Sequence, residues 1–296
     1  MALYCLISAG GSPGVTTTAL GLAVTWTRPV VLAECDPTHR SLLPGFLAER
    51  LRHPPGPGLL GLAMEVYQGA TISPHTLDRY VISLDGDTNE PGRVKLLHGL
   101  RDPRHTAQLR GVWPALASLF TSLDADVIAD VGCVGGSDTP LPLLTRADLV
   151  VMVVRPTLKQ IDAAQPRLEA LQQTLGHRPA LCLIGDQPYP RAAVKAALFD
   201  PPILGQLPHA ESEARVLSDG AKPRRTFRTS LLVRTLGGLG QHMRHTTDQA
   251  KRHAAGAAAG PVVDRVASAP ASGSGGGHGQ VLAPGRAGDS RFGRMR

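Results

Sequence analysis

Apolar residues gather along this chain in short uninterrupted runs: Leu3–Ser8, Val30–Glu34, residues 127–131, Leu149–Val154, Ala180–Ile184 and Ile203–Leu207. They are rich in Val, Ile and Leu and do not alternate with polar residues, as expected of parallel strands covered on both faces. The segments between them read as helices over residues 16–26, 113–123, 159–175 and 191–198. In the third of these, Ile161, Leu168, Leu171 and Leu175 share one face while Lys159, Arg167, Glu169 and Gln172 fall elsewhere, the pattern of a helix packing on a sheet. Strand and helix alternate, which predicts an α/β fold with a doubly wound, mostly parallel sheet.

Residues 54–103 are less regular. Pro and Gly cluster over 53–58 and a polar break covers 85–92, so this stretch reads as a helical excursion plus one more strand. A last helix is expected over residues 230–244, with Leu231, Leu232, Leu236 and Leu239 as one apolar stripe. Residues 251–296 hold 10 Gly and 10 Ala and lack the apolar periodicity that would offset the entropy of ordering. The expected organisation is therefore one domain over residues 1–248 and a disordered, basic Ala/Gly-rich tail over 249–296.

Composition narrows the class. A chain of 296 residues with 42% hydrophobic content suits a soluble globular protein of one or two domains. Cys5, Cys35, Cys133 and Cys182 are far apart and lie in apolar runs, so they read as buried reduced thiols of a cytoplasmic protein. The histidines show no metal-ligand spacing. Residues 1–10 lack the basic start of a signal peptide, and the run Leu149–Val154 is far short of the roughly 20 residues a membrane-spanning helix needs.

The first run leads directly into Ser8-Ala9-Gly10-Gly11-Ser12-Pro13-Gly14-Val15-Thr16-Thr17-Thr18 and a helix. A strand, a glycine turn and a helix N-terminus converge backbone N–H groups on one point, an arrangement that holds phosphate. The alternative is an ordinary strand-to-helix turn in which Thr16 caps the helix. The general phosphate loop, G-x-x-x-x-G-K-[ST], also needs a lysine. Here that position is Val15, and the first lysine in the chain is Lys95. Thr16 and Thr17 remain to offer hydroxyls. Loss of the lysine removes a charge-assisted contact to the terminal phosphates and should impair hydrolysis more than binding.

The stretch resembles the deviant phosphate loop, or Walker A motif, of the ParA/MinD family of partition and positioning ATPases. The family pattern K-G-G-x-G-K-[ST]-[ST] runs from Gly10 to Thr17, with both lysines absent, at Gly10 and Val15. Three other segments extend the resemblance over most of residues 1–245. Residues 30–37 are similar to the strand ending in D-x-D-P, residues 126–132 to the Walker B strand, and residues 148–156 with 204–208 to the late strands whose loops frame the base. The asparagine that often contacts the base is replaced by Gly185-Asp186.

The resemblance implies ATP and Mg2+ as cofactors. The phosphates would sit on Gly11, Ser12, Pro13, Gly14, Val15, Thr16 and Thr17, with Thr16 and Asp130 around the metal and Asp36 orienting the attacking water. It also implies a possible homodimer, which in the family depends on the lysine missing at Gly10. From the residues alone, Asp36 before Pro37 is equally a turn residue, whereas an acid ending the apolar run at Asp130 needs a partner to offset its desolvation. Asp148 reads as a cap at the start of its strand. A Rossmann dinucleotide binder would also place Glu34 or Asp36 after the second strand, but the loop does not give G-x-G-x-x-G.

The net charge of +7 is unevenly placed. Residues 1–221 carry 18 basic against 21 acidic residues, and residues 222–296 carry 13 against 3. Lys222, Arg224, Arg225 and Arg228 form a cluster suited to nonspecific DNA or an anionic membrane surface. The expected function is a cytoplasmic ParA/MinD-like protein, peripheral at membrane or nucleoid, that positions or partitions a protein cargo, chromosome, plasmid or secretion complex with weak or lost ATP hydrolysis. The alternative is a nucleotide-free pseudo-ATPase scaffold for pilus or secretion assembly.

Overall fold

The computed structural model describes residues 1–11, 13–38, 40–49, 54–84 and 92–258. Its elements follow in the order β1 (Leu3–Ser8), α1 (Val15–Thr25), β2 (Val30–Glu34), α2 (Gly58–Tyr67), α3 (Pro74–Leu77), β3 (Ile82–Ser83) and β4 (Val94–Leu97). Next come α4 (Thr106–Leu109), α5 (Trp113–Ser122), β5 (Asp126–Cys133), α6 (Leu141–Arg146), β6 (Leu149–Val154) and α7 (Leu158–Leu175). The chain ends with β7 (Ala180–Ile184), α8 (Arg191–Ala197), β8 (Ile203–Leu207), α9 (Glu211–Ser218) and α10 (Leu231–Ala258).

The strands form one sheet in the order β3-β4-β2-β5-β1-β6-β7-β8, parallel except for β3. β1 lies between β5 and β6. A Rossmann sheet has the order 3-2-1-4-5-6 with β1 beside β2, so that alternative fails on topology. Successive side chains of the central strands enter opposite cores. Leu3, Cys5 and Ile7 pack with α2, α5, α6 and α7, while Tyr4 and Leu6 pack with α1, α9 and α10.

α10 is longer than its leucine stripe suggested. Leu232, Leu236, Leu239, Met243 and Thr247 continue one buried stripe, whereas Leu231 faces solvent. The helix runs to Ala258, so it passes through the expected boundary at 248, and residues 259–296 of the expected tail lie outside the described residues. Residues 54–103 contain α2, α3, β3 and β4, one strand more than expected. The polar break over 85–91 lies outside the described residues. Cys133 is exposed, unlike the other three cysteines, because it sits at the last position of β5. Asp148 behaves as read: its Oδ2 accepts the Leu3 N–H at 2.8 Å at the start of the strands.

The end of the sheet away from the glycine loop is fastened by Asp126, which is fully buried. Its two oxygens accept the Ala2 N–H and the Trp26 Nε1–H, both at 2.9 Å. Trp26 also meets Tyr4 edge-on, with ring centroids 5.2 Å apart, and carries the Arg244 guanidinium of α10 at 4.7 Å. One indole thus joins α1, β1, β5 and α10. Trp26→Phe should lower stability by about 1–3 kcal/mol, because it leaves a buried carboxylate oxygen without its donor. Urea unfolding at neutral pH measures this, and an unchanged midpoint would show that the indole N–H contributes nothing.

Candidate functional site

At the C-terminal ends of β1, β2, β5 and β6 the loops enclose a cleft of about 600 Å³. Its floor is the turn between β1 and α1. Gly10, Gly11 and Gly14 have φ of 133°, 69° and 112°, a region in which a side chain is strained, so the turn has its shape only with glycine there. Gly14 is the N-cap of α1, and the first intrahelical bond runs from the Thr18 N–H to the Gly14 carbonyl at 2.9 Å. The N–H groups of Val15, Thr16 and Thr17 precede that bond and belong to the open end of the helix, facing a cleft those residues line. Pro13 is part of the same floor; Ser12 lies outside the described residues.

Thr16 does not cap α1. Its hydroxyl lies beside the carboxyl of Asp130, which comes from β5. The register of β5 against β1 shifts just after Asp130, and the Gly132 N–H donates back to Asp130 Oδ1 at 3.1 Å. Asp130 is buried, and this lifts its carboxyl to about 7, with the nearby Glu34 and Asp36 carboxylates adding to the rise and Thr16 opposing it. This is a desolvated acid beside a hydroxyl, a pair able to join the hydration shell of a hard divalent cation. Among the described residues no three His, Cys, Asp or Glu side chains converge into a metal cage.

Glu34 lies beside Asp130 across the β2–β5 ladder, but its oxygens are committed. Oε1 accepts the Ser41 and Leu42 N–H groups at 2.8 and 2.9 Å, and Oε2 accepts the Gly99 N–H at 3.0 Å. Its work is to tie two loops to the sheet. Asp36 lines the cleft and also makes the turn: Oδ1 accepts the Thr38 N–H at 2.8 Å and its hydroxyl at 2.5 Å. Its carboxyl lies so close over Gly132 that a Cβ there would fall 2.0 Å from Oδ2.

Two side chains that the sequence did not single out hold the glycine loop, one just after β6 and one in the first turn of α7. Gln160, nearly buried, donates through Nε2 to the Gly10 and Gly11 carbonyls, both at 3.1 Å. Arg155 points its Nε–H at the Pro13 carbonyl, 3.4 Å away. The opposite end of the cleft is apolar, walled by Ile184, Leu207, Pro208 and Ala214. Val15, at the lysine position, is 6% exposed and packs into the core under α1.

Lys222, Arg224, Arg225 and Arg228 are all exposed in the segment between α9 and α10, and none of them lines the cleft. No helix among the described residues is long and apolar enough to cross a membrane.

No family model matches the sequence, and no curated protein matches it. Solved structures do match. MinD of Pyrococcus horikoshii OT3 with Mg-ADP superposes with a TM-score of 0.62 at 15% identity, covering 82% of this chain and 95% of that one. The ParA family ATPase of Chlorobium tepidum TLS gives 0.63 at 14% identity, with coverages of 81% and 99%. The chain has the MinD/ParA fold. McdA of Cyanothece in complex with ATP is also similar, with a TM-score of 0.60 at 17% identity and coverages of 82% and 96%. At these identities the likeness is one of architecture. In this chain the loop after β1 lines the cleft and carries no lysine.

The raised carboxyl of Asp130 sets a stability test. Between about pH 4 and 7 the unfolded chain has lost this proton and the folded one retains it, so folding stability falls across that window. Without added divalent metal, Asp130→Asn should match wild type near pH 4 and exceed it above pH 7 by up to about 4 kcal/mol. Thermal unfolding across pH reads this directly. A variant weaker than wild type at pH 8 would mean that the ionised carboxylate is stabilised in the fold.

Proposed function

We propose that the protein is a ParA/MinD-like nucleotide-binding protein that positions or partitions a cargo, with ATP hydrolysis weak or lost. The observation that carries this reading is the pairing of Thr16 with the buried Asp130 beneath a loop that still has glycine conformations at Gly10, Gly11 and Gly14. A structural turn needs no desolvated acid held at its centre. On this reading the backbone from Gly11 to Thr17, with Ser12 among it, holds the phosphates of ATP. Thr16 and Asp130 hold Mg2+, which when bound neutralises charge on the outer phosphates. Asp36 orients water, and the apolar end of the cleft takes the base. The structures of P. horikoshii MinD with Mg-ADP and Cyanothece McdA with ATP support the choice of ligand.

A second reading, the nucleotide-free scaffold, is favoured by Val15 in the core and by the Gln160 amide lying over Gly11, where a Cβ would come within 2.7 Å of Nε2. Calorimetric titration separates the two. Wild type should bind Mg-ATP at millimolar concentration or below, Asp130→Ala should weaken it about tenfold or more, and Val15→Lys should tighten it. Absence of binding by wild type would remove the nucleotide reading.

For cargo or surface contact, the exposed Lys222, Arg224, Arg225 and Arg228 are assigned to a polyanion, with contact to a protein partner or a second copy made elsewhere. α10 is part of the core, so the test reverses these four charges to Glu and leaves the helix in place. Retention on DNA or on anionic vesicles should disappear in the variant, and the wild-type interaction should weaken steeply with salt. Retention unchanged by the reversal would remove the assignment.

A further inference from the structure

The loop lacks both lysines that the resemblance implies, and one neighbouring stretch of chain contacts it at Gly10, Gly11 and Pro13. Arg155, just after β6, and Gln160, in the first turn of α7, reach the loop together: the Gln160 amide lies on the Gly10 and Gly11 carbonyls, and the Arg155 guanidinium lies on the Pro13 carbonyl. The turn itself is fixed by the Thr157 side chain, which caps α7 at the Gln160 N–H, and by the Thr157 N–H donating to the Arg155 carbonyl at 2.8 Å.

Arg155 differs from the other arginine of the cleft. Arg215 is paired with Asp219 at 3.2 Å, whereas Arg155, half-buried, has no carboxylate partner among the described residues. Among the described residues its one acceptor is a neutral carbonyl at 3.4 Å, near the long limit of a hydrogen bond. A half-buried guanidinium satisfied this weakly is matched to an anion that none of the described residues supplies. It lines the same cleft as Gly11, Gly14 and Thr16. Its fork of donors is also the geometry that suits phosphate.

We propose that Arg155 supplies from β6 the positive charge that Val15 denies the loop, binding the outer phosphates of a nucleoside triphosphate. This rests on the nucleotide-binding reading above. The sequence concealed it because the residue lies 140 positions from Val15 and ends a strand whose apolar run draws the eye.

The test is calorimetry on the full chain with Mg-ATP and, separately, AMP, with folding of each variant checked by circular dichroism and thermal unfolding. Arg155→Ala should weaken Mg-ATP about tenfold or more and AMP little, because the lost contact is to the outer phosphates. Arg155→Lys should retain part of the affinity, and Val15→Lys added to Arg155→Ala should restore it by returning a cation to the loop. If wild type binds and Arg155→Ala binds Mg-ATP equally well, Arg155 is not the phosphate ligand, and the nucleotide reading stands without it. Equal losses for ATP and AMP would also overturn the proposal, since they would mark a collapsed loop. If wild type binds neither nucleotide, the nucleotide reading fails and this proposal fails with it.

Discussion

The position of β1 between β5 and β6 is the constraint on which the molecule depends. Both of its edges are hydrogen-bonded and both of its faces are covered, so the residues after Ser8 must leave the sheet at a fixed point and in a fixed direction. The loop that follows is thereby placed beside the ends of β5 and β6. Asp130 meets Thr16 from one side, and Arg155 and Gln160 meet the loop from the other. At the far end of the same strands, Asp126 and Trp26 prevent β1 and α1 from sliding past β5. The walls of the cleft are the ends of a core.

That placement gives the acids their character. Asp130 is carried into the interior by its strand and is raised by its own desolvation, while its neighbour Glu34 is kept occupied by three backbone donors. The two carboxylates differ in availability, not in distance from the cleft alone. Glu34 stabilises the loops on which Asp36 and Thr38 stand; Asp130 has a hydroxyl and one N–H, and its burial favours any cation that would share the charge. On the proposed reading the charge balance of the cleft was redistributed: the loop gave up its lysines and a neighbouring strand contributes an arginine.

Much of this architecture was legible in the sequence, since six short apolar runs without alternation, rich in Val, Ile and Leu, fit strands covered on both faces, and the structure places a strand on each. The glycine loop, Asp36 and Asp130 were legible because strand ends announce themselves where an apolar run meets an acid or a glycine. What was missed had weak local signals. α9 carries Glu211, Glu213 and Arg215 around only two fully buried residues, and α10 extends past its leucines on Met243 and Thr247, a stripe half made of residues that do not read as core. Arg155 and Gln160 were invisible as site residues because their partners are backbone carbonyls of a loop far away in the chain. Tertiary placement alone gives them a role.

On the proposed reading a loop without lysine remains a phosphate cradle, completed from the ends of β6 and β5. Hydrogen exchange with and without Mg-ATP reads the cradle amide by amide. The account predicts that nucleotide slows exchange of the N–H groups of Gly11, Gly14, Val15, Thr16 and Thr17 and of the turn from Arg155 to Gln160, while the segment holding Lys222 to Arg228 is unchanged. Exchange at the loop that is indifferent to saturating nucleotide would contradict it.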